Sequence, residues 1–96
     1  MAIVVCGDGV RQSAEEFILE DGAAAIQNML LAAHGLGLGA VWCGVWRGSG
    51  LRQACIDLLG LPPKVLPMGL VALGHPAEGK QQPPRYVPGR VHWEQW

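Results

Sequence analysis

Residues 21–44 read DGAAAIQNMLLAAHGLGLGAVWCG and contain the two clearest secondary-structure signals of the chain. Asp21 can cap a helix, and the alanines, Gln27, Met29 and the leucines after it are good helix formers. Gly35 and Gly37 end that helix, because glycine readily takes the left-handed conformation found at helix ends. Apolar residues surround nearly its whole circumference. The pattern therefore predicts a helix over residues 21–35 that is buried on all sides.

A strand is predicted next, over residues 38–46, because its side chains alternate between two faces. Val41, Cys43 and Val45 lie on one face, and the other carries Leu38, Ala40, Trp42, Gly44 and Trp46. A glycine inside a strand usually marks a bulge or the close approach of another group. Gly44 is therefore the position in this strand that calls for an explanation.

The remaining elements have weaker signals. A buried strand is predicted over residues 3–6, a loop or one weak helical turn over residues 11–20, and a strand over residues 66–73. Ser49 can cap a second helix that runs to about Leu59 and ends at Gly60. From residue 77 the chain becomes rich in proline, which predicts an extended arm without a core of its own. The arm carries Trp93 and Trp96, which we expect to dock on another surface.

The composition limits the possible functions. The chain has 96 residues, enough for one small domain, and 50% of them are hydrophobic while only 16% are charged. Because a small domain has proportionately more surface, either the core is unusually rich or some apolar surface is meant for a partner. The net charge of −1, without a basic block, argues against nucleic acid as a partner. No apolar run is long enough to suggest a membrane span.

The cysteines and histidines do not indicate a metal site. Cys6, Cys43 and Cys55 are odd in number and lie in apolar surroundings, which predicts free buried thiols in a reducing cytoplasm. The three histidines are far apart in sequence, and no Cys-x-x-Cys or His-x-x-x-His pair is present. Cys43 is a candidate reactive thiol, although its neighbours Val41 and Val45 favour core packing.

Four stretches, taken in order, resemble the nitroreductase family. Residues 20–44 resemble its central helix-to-strand unit, and residues 59–62 its next helix end. Residues 72–78 (ALGHPAE) resemble the closing strand, and residues 84–93 the terminal arm. The resemblance implies an α+β fold, a sheet with helices on both faces. It also implies that residues 1–96 are the C-terminal part of such a domain, with residues 77–96 as the arm.

The same resemblance implies an activity and a set of ligands. Family members are homodimeric oxidoreductases that bind FMN between subunits and exchange their arms. NAD(P)H reduces the FMN and leaves, and a nitroaromatic, a quinone or a similar acceptor then takes its place. The family's Arg-Arg-Ser-type phosphate motif has no match here, so the chain is expected to correspond to a truncated half. The alternative is a non-catalytic half-fold that serves only as an oligomerisation or complementation module.

Five residues of the chain are implied as contacts to FMN. The turn Gly37-Leu38-Gly39 would lie beside the flavin, and the Gly44 amide would point at its N5 atom. A helix end followed by a β-bulge is the alternative explanation of these glycines. Arg85 would bind the phosphate through paired hydrogen bonds, with Lys80 a weaker candidate. An exposed arginine that only aids solubility is the alternative there.

Overall fold

The computed structural model describes residues 1–96, which form a three-stranded antiparallel sheet with two helices. The elements are β1 (Ala2–Asp8), α1 (Glu15–Gly35), β2 (Gly39–Gly44), α2 (Gly50–Leu59), β3 (Val65–Gly74) and a 3-10 turn over Pro88–Arg90. The strand order is β1-β3-β2, so the last strand in the chain lies at the centre of the sheet. The expected α+β architecture is confirmed.

Helix α1 begins earlier than its sequence indicates. It starts at Glu15, after an Ala14 that makes no side-chain capping bond, so the start at residue 21 with Asp21 as the cap is wrong. The loop or single weak helical turn expected over residues 11–20 is, from Glu15 onward, part of the long helix α1. Two features of the extra turns stabilise them: Glu15 and Glu16 lie where a helix dipole favours negative charge, and Ile18 is buried.

Only one face of α1 is buried within the chain. Its buried residues are Ile18, Gly22, Ile26 and Ala33, which recur at helical spacing and face the sheet. On the outer face Leu31 is 61% exposed and Phe17 is 53% exposed. Burial on all sides is therefore wrong for the single chain, because no other element of the chain covers that face.

The two helices lie on opposite faces of the sheet. A methyl group at Gly69 of β3 would lie 2.5 Å from Cδ1 of Ile26, which places α1 directly on that face. On the other face, α2 and the sheet line an open apolar pocket of about 260 Å³, with side chains that include Val4, Cys55 and Leu70. Helices on both faces of the sheet are thus confirmed.

Helix α2 follows its local signals. The Ser49 side chain accepts a hydrogen bond from the Arg52 amide at 3.1 Å, as an N-cap residue should. The helix ends at Gly60, whose φ of 59° lies in the left-handed region that favours glycine. Both predicted ends of this helix are confirmed.

The arm after β3 does not pack against the body of the chain. Every residue from position 74 to position 96 is exposed, and Trp93 and Trp96 are 85% and 101% exposed. The radius of gyration is 16.5 Å, against about 12.5 Å for a compact domain of this length. The accessible area is 7649 Å², against about 5,300 Å² for a folded monomer of this mass. The chain alone therefore leaves a large apolar area in water.

No helix of the structure has the length and apolar character that a membrane crossing requires.

Candidate functional site

The outer edge of β2 presents backbone groups that have no partner strand. Successive N–H groups of an antiparallel strand point alternately toward and away from the neighbouring strand. Because the Val45 amide donates to the Met68 carbonyl at 3.4 Å, the Gly44 amide must point the other way. β2 is an edge strand of the sheet, so this N–H lies on an open edge. Gly44 therefore offers a free hydrogen-bond donor in the plane of the sheet.

Two tryptophans flank Gly44 on the side of the sheet that faces α1. Gly44 pairs with Gly69 across the strands, so neither position carries a side chain. A methyl group at Gly44 would lie 3.2 Å from Cε3 and Cζ3 of Trp46, and one at Gly69 would lie 2.6 Å from Nε1 of Trp42. The space above the glycine pair is filled by the two indole rings, Trp46 over Gly44 and Trp42 over Gly69.

The turn Gly37-Leu38-Gly39 lies at the opposite end of the same strand. Gly37 has a φ of 73°, which other residues rarely adopt, and Gly39 is the first residue of β2. The turn lines an open cavity of about 910 Å³ together with residues that include His34, Glu78 and Lys80. Lys80 pairs with Glu78 at 2.9 Å.

The structure does not bring the five implied contact residues to one point. Gly39 and Gly44 are separated by the length of β2, about 17 Å. Arg85 is exposed in the arm and does not line the 910 Å³ cavity. A ligand that touches both Gly44 and the Gly37 turn would have to lie along the open edge of β2.

An ion-pair cluster at the start of α2 has no signal in the sequence. The Glu15 carboxylate pairs with the Arg47 guanidinium and, at 3.5 Å, with that of Arg52. Arg47 follows Glu15 by 32 positions, so only the tertiary fold brings them together. The cluster joins the beginning of α1 to the beginning of α2, which further stabilises the helix start at Glu15.

All three cysteines are free thiols, as predicted. Cys55 is buried between α2 and the sheet, as predicted, whereas the predicted burial is wrong for Cys6 and Cys43, which are half-buried. Burial raises the pKa of the Cys6 thiol, and nearby Cys55 adds a smaller effect in the same direction. A raised pKa keeps the thiol protonated and unreactive near neutral pH. No group of three or more His, Cys, Asp or Glu side chains is arranged to hold a metal ion.

Several known proteins are similar to this chain in both sequence and fold. The chain is 41% identical over 100 residues to a putative NADH dehydrogenase/NAD(P)H nitroreductase of Methanothermobacter thermautotrophicus, covering 100% of this chain and 50% of that protein. It is 40% identical over 65 residues to an FMN reductase [NAD(P)H] of Bacillus subtilis, covering 68% of this chain and 25% of that protein. The crystal structure of a putative NADH dehydrogenase/NAD(P)H nitroreductase from Bacteroides thetaiotaomicron superposes with a TM-score of 0.89 at 35% identity, over 99% of this chain and 55% of that one.

All of this chain aligns with the Methanothermobacter relative, but the chain spans only about half of that protein's length. The family model described as "Nitroreductase family" matches residues 7–75, which include both helices and all of β2 and β3. The resemblance inferred from the four stretches of sequence is confirmed, and this chain belongs to the nitroreductase family.

Proposed function

We propose that this chain belongs to an FMN-dependent NAD(P)H oxidoreductase and holds the flavin ring at the open edge of β2. The unpaired Gly44 amide on that edge is the observation that carries the proposal. The family and the names of two relatives, an NAD(P)H nitroreductase and an FMN reductase, support the choice of cofactor and reductant.

The residues present fit a flavin. A ring nitrogen such as N5 needs a hydrogen-bond donor that approaches in the plane of the ring, and the Gly44 N–H projects in the plane of the sheet. Gly44 has no side chain of its own at this edge, and the Trp46 ring covers it only from the side that faces α1. A buried polar group must find a partner, so an amide that is covered by a ligand has to be bonded by it.

Other residues would hold the rest of the cofactor. The Gly37-Leu38-Gly39 turn, at the opposite end of β2, would contact a part of the cofactor other than the ring atom that Gly44 bonds. The guanidinium of Arg85 would bind the phosphate, with Lys80 as a second cation beside the Gly37 turn. FMN, when bound, would accept hydride from NAD(P)H and, after the nicotinamide has left, pass it to a nitroaromatic, a quinone or a similar acceptor.

The apolar surface supports a homodimer. The accessible area exceeds that of a compact monomer by about 2,300 Å², more than the roughly 800 Å² that one partner buries in a standard interface. The outer face of α1 and the aromatic arm supply much of this excess, with Leu31, Trp93 and Trp96 exposed. The three free thiols support a reducing cytoplasm as the place where the dimer works.

The substitution Gly44→Val tests the flavin site. Valine favours a strand, and the ring that it must displace belongs to Trp46, which is 69% exposed and free to move. We therefore expect an unchanged or higher melting temperature together with loss of flavin binding in a titration. Gly74→Val is the matched control, because the same substitution there enters open space at the end of β3. Retained flavin affinity in Gly44→Val would show that Gly44 is not part of a flavin site.

The open sheet edges and the half-length match favour a second candidate. β1 and β2 each lack a partner on their outer side, which suits a module that is completed by another chain and has no chemistry of its own. The visible absorbance of the purified protein separates the two candidates. A yellow protein with a flavin spectrum supports the oxidoreductase, whereas a colourless protein that takes up no added FMN supports the module.

A further inference from the structure

Trp46 is placed beside the Gly44 amide by the alternation of β2. Side chains at even positions of this segment face α1, and Trp46 continues that series two residues after Gly44. Its six-membered ring folds back over Gly44, with Cε3 and Cζ3 3.2 Å from the point where a Cβ atom would be. The indole therefore covers the α1 side of the residue whose N–H points out of the sheet.

The backbone of Trp46 is held while its ring remains uncovered. The Trp46 carbonyl accepts the Ser49 amide at 3.0 Å, and Ser49 caps α2, so the turn that carries Trp46 is fixed at both ends. The ring is nevertheless 69% exposed, whereas that of Trp42, which packs beside Ile26 over Gly69, is 41% exposed. Tryptophan normally buries its large apolar surface, so an exposed indole on a fixed backbone is suited to contact a further ring.

We infer that Trp46 is a positioning residue for the flavin: its indole packs against the α1-side face of a ring that accepts a hydrogen bond from the Gly44 amide. The inference rests on the proposed function and adds a residue to it. A flat aromatic ligand gains from such contact, because offset stacking and edge-to-face packing of rings are favourable. The hydrogen bond fixes one atom of the ligand ring, and the indole fixes the plane of that ring.

Titration of the full chain with FMN tests the inference through two readouts, the dissociation constant and the fluorescence of bound flavin. An indole in contact with a flavin quenches its emission by electron transfer. The wild-type chain should therefore quench FMN, and Trp46→Phe should restore emission while the dissociation constant rises about threefold or less, since phenylalanine still packs. Trp46→Leu should raise the dissociation constant about tenfold, equivalent to about 1.4 kcal/mol.

Trp96→Phe is the matched control, because the same substitution there removes an indole that stacks on His92 at the end of the arm and that the proposed flavin site does not include. It should leave both the dissociation constant and the quenching as in wild type, and circular dichroism should show that all variants are folded. Binding of FMN with equal quenching in wild type and Trp46→Phe would overturn this inference alone. Failure of the wild-type chain to bind FMN at all would overturn the proposed function and this inference with it.

Discussion

Gly69 and Gly44 face each other across β3 and β2, yet the same substitution should affect them in opposite ways. A methyl group at Gly69 would lie 2.5 Å from Cδ1 of Ile26 and 2.6 Å from Nε1 of Trp42. Ile26 is fully buried at 0% exposure, so its side chain would have to shift against its packed neighbours. At Gly44 the only close atoms belong to Trp46, at 3.2 Å, and that ring is largely exposed.

The stability change follows from these contacts. Overpacking a well-filled core costs about 1–3 kcal/mol. Replacing glycine by alanine within a strand recovers about 0.5–1 kcal/mol of that loss. We therefore expect Gly69→Ala to lower the free energy of unfolding by about 1–2 kcal/mol. For a domain of this size, such a loss lowers the melting temperature by roughly 4–16 °C. Gly44→Ala should leave the melting temperature unchanged or raise it.

Thermal unfolding of wild type, Gly69→Ala and Gly44→Ala, followed by circular dichroism without flavin, measures the difference. All three proteins must be at the same concentration, because association with a partner subunit shifts the apparent melting temperature. The reasoning is refuted if Gly69→Ala melts at or above the temperature of Gly44→Ala. That result would mean that α1 does not approach β3 as closely as the Ile26 contact indicates.

Two further predictions concern the arm and the assembly. Arg85→Ala should weaken FMN binding by about 1.5–3 kcal/mol, the range for a charge-assisted contact, while riboflavin, which lacks the phosphate, binds almost as before. Equal weakening of both ligands would mean that Arg85 acts through the folding of the arm. Light scattering at micromolar concentration should show a dimer or a larger species, because the chain alone exposes Leu31, Trp93 and Trp96. A compact, stable monomer would contradict this expectation.

Elements whose ends depend on neighbouring residues were predictable from the sequence. Ser49 and Gly60 mark the two ends of α2 by capping chemistry that needs no tertiary contact, and both were identified. The start of α1 at Glu15 was not predictable from the sequence, because its first turns are stabilised by burial of Ile18 and by the pairing of Glu15 with distant arginines. Local propensity is a weak guide wherever tertiary contacts decide the outcome.

The candidate site was predictable only in part, for a related reason. Gly44 stood out because a glycine within a β-branched strand is costly. The pairing of Gly44 with Gly69 and the direction of the Gly44 amide depend on the register between β2 and β3. No local sequence pattern specifies that register. The position of the Trp46 ring depends on the turn into α2. The choice of FMN as the cofactor follows from the resemblance to the family, whereas the open edge of β2 is visible only in the structure.

The position of β3 at the centre of the sheet has a consequence for the order of folding. β1 and β2 pair only with β3, and the β1–β3 ladder joins residues as distant as Ala2 and Ala72. No part of the sheet can form until the last strand has been synthesised. At roughly 5–20 residues per second, the 66 residues between the end of β1 and the end of β3 take about 3–13 seconds, during which β1 remains unpaired. Such non-local pairing makes folding slow and exposes apolar strands to aggregation meanwhile. A nascent chain that stops short of β3 has helices but no sheet on which to pack them.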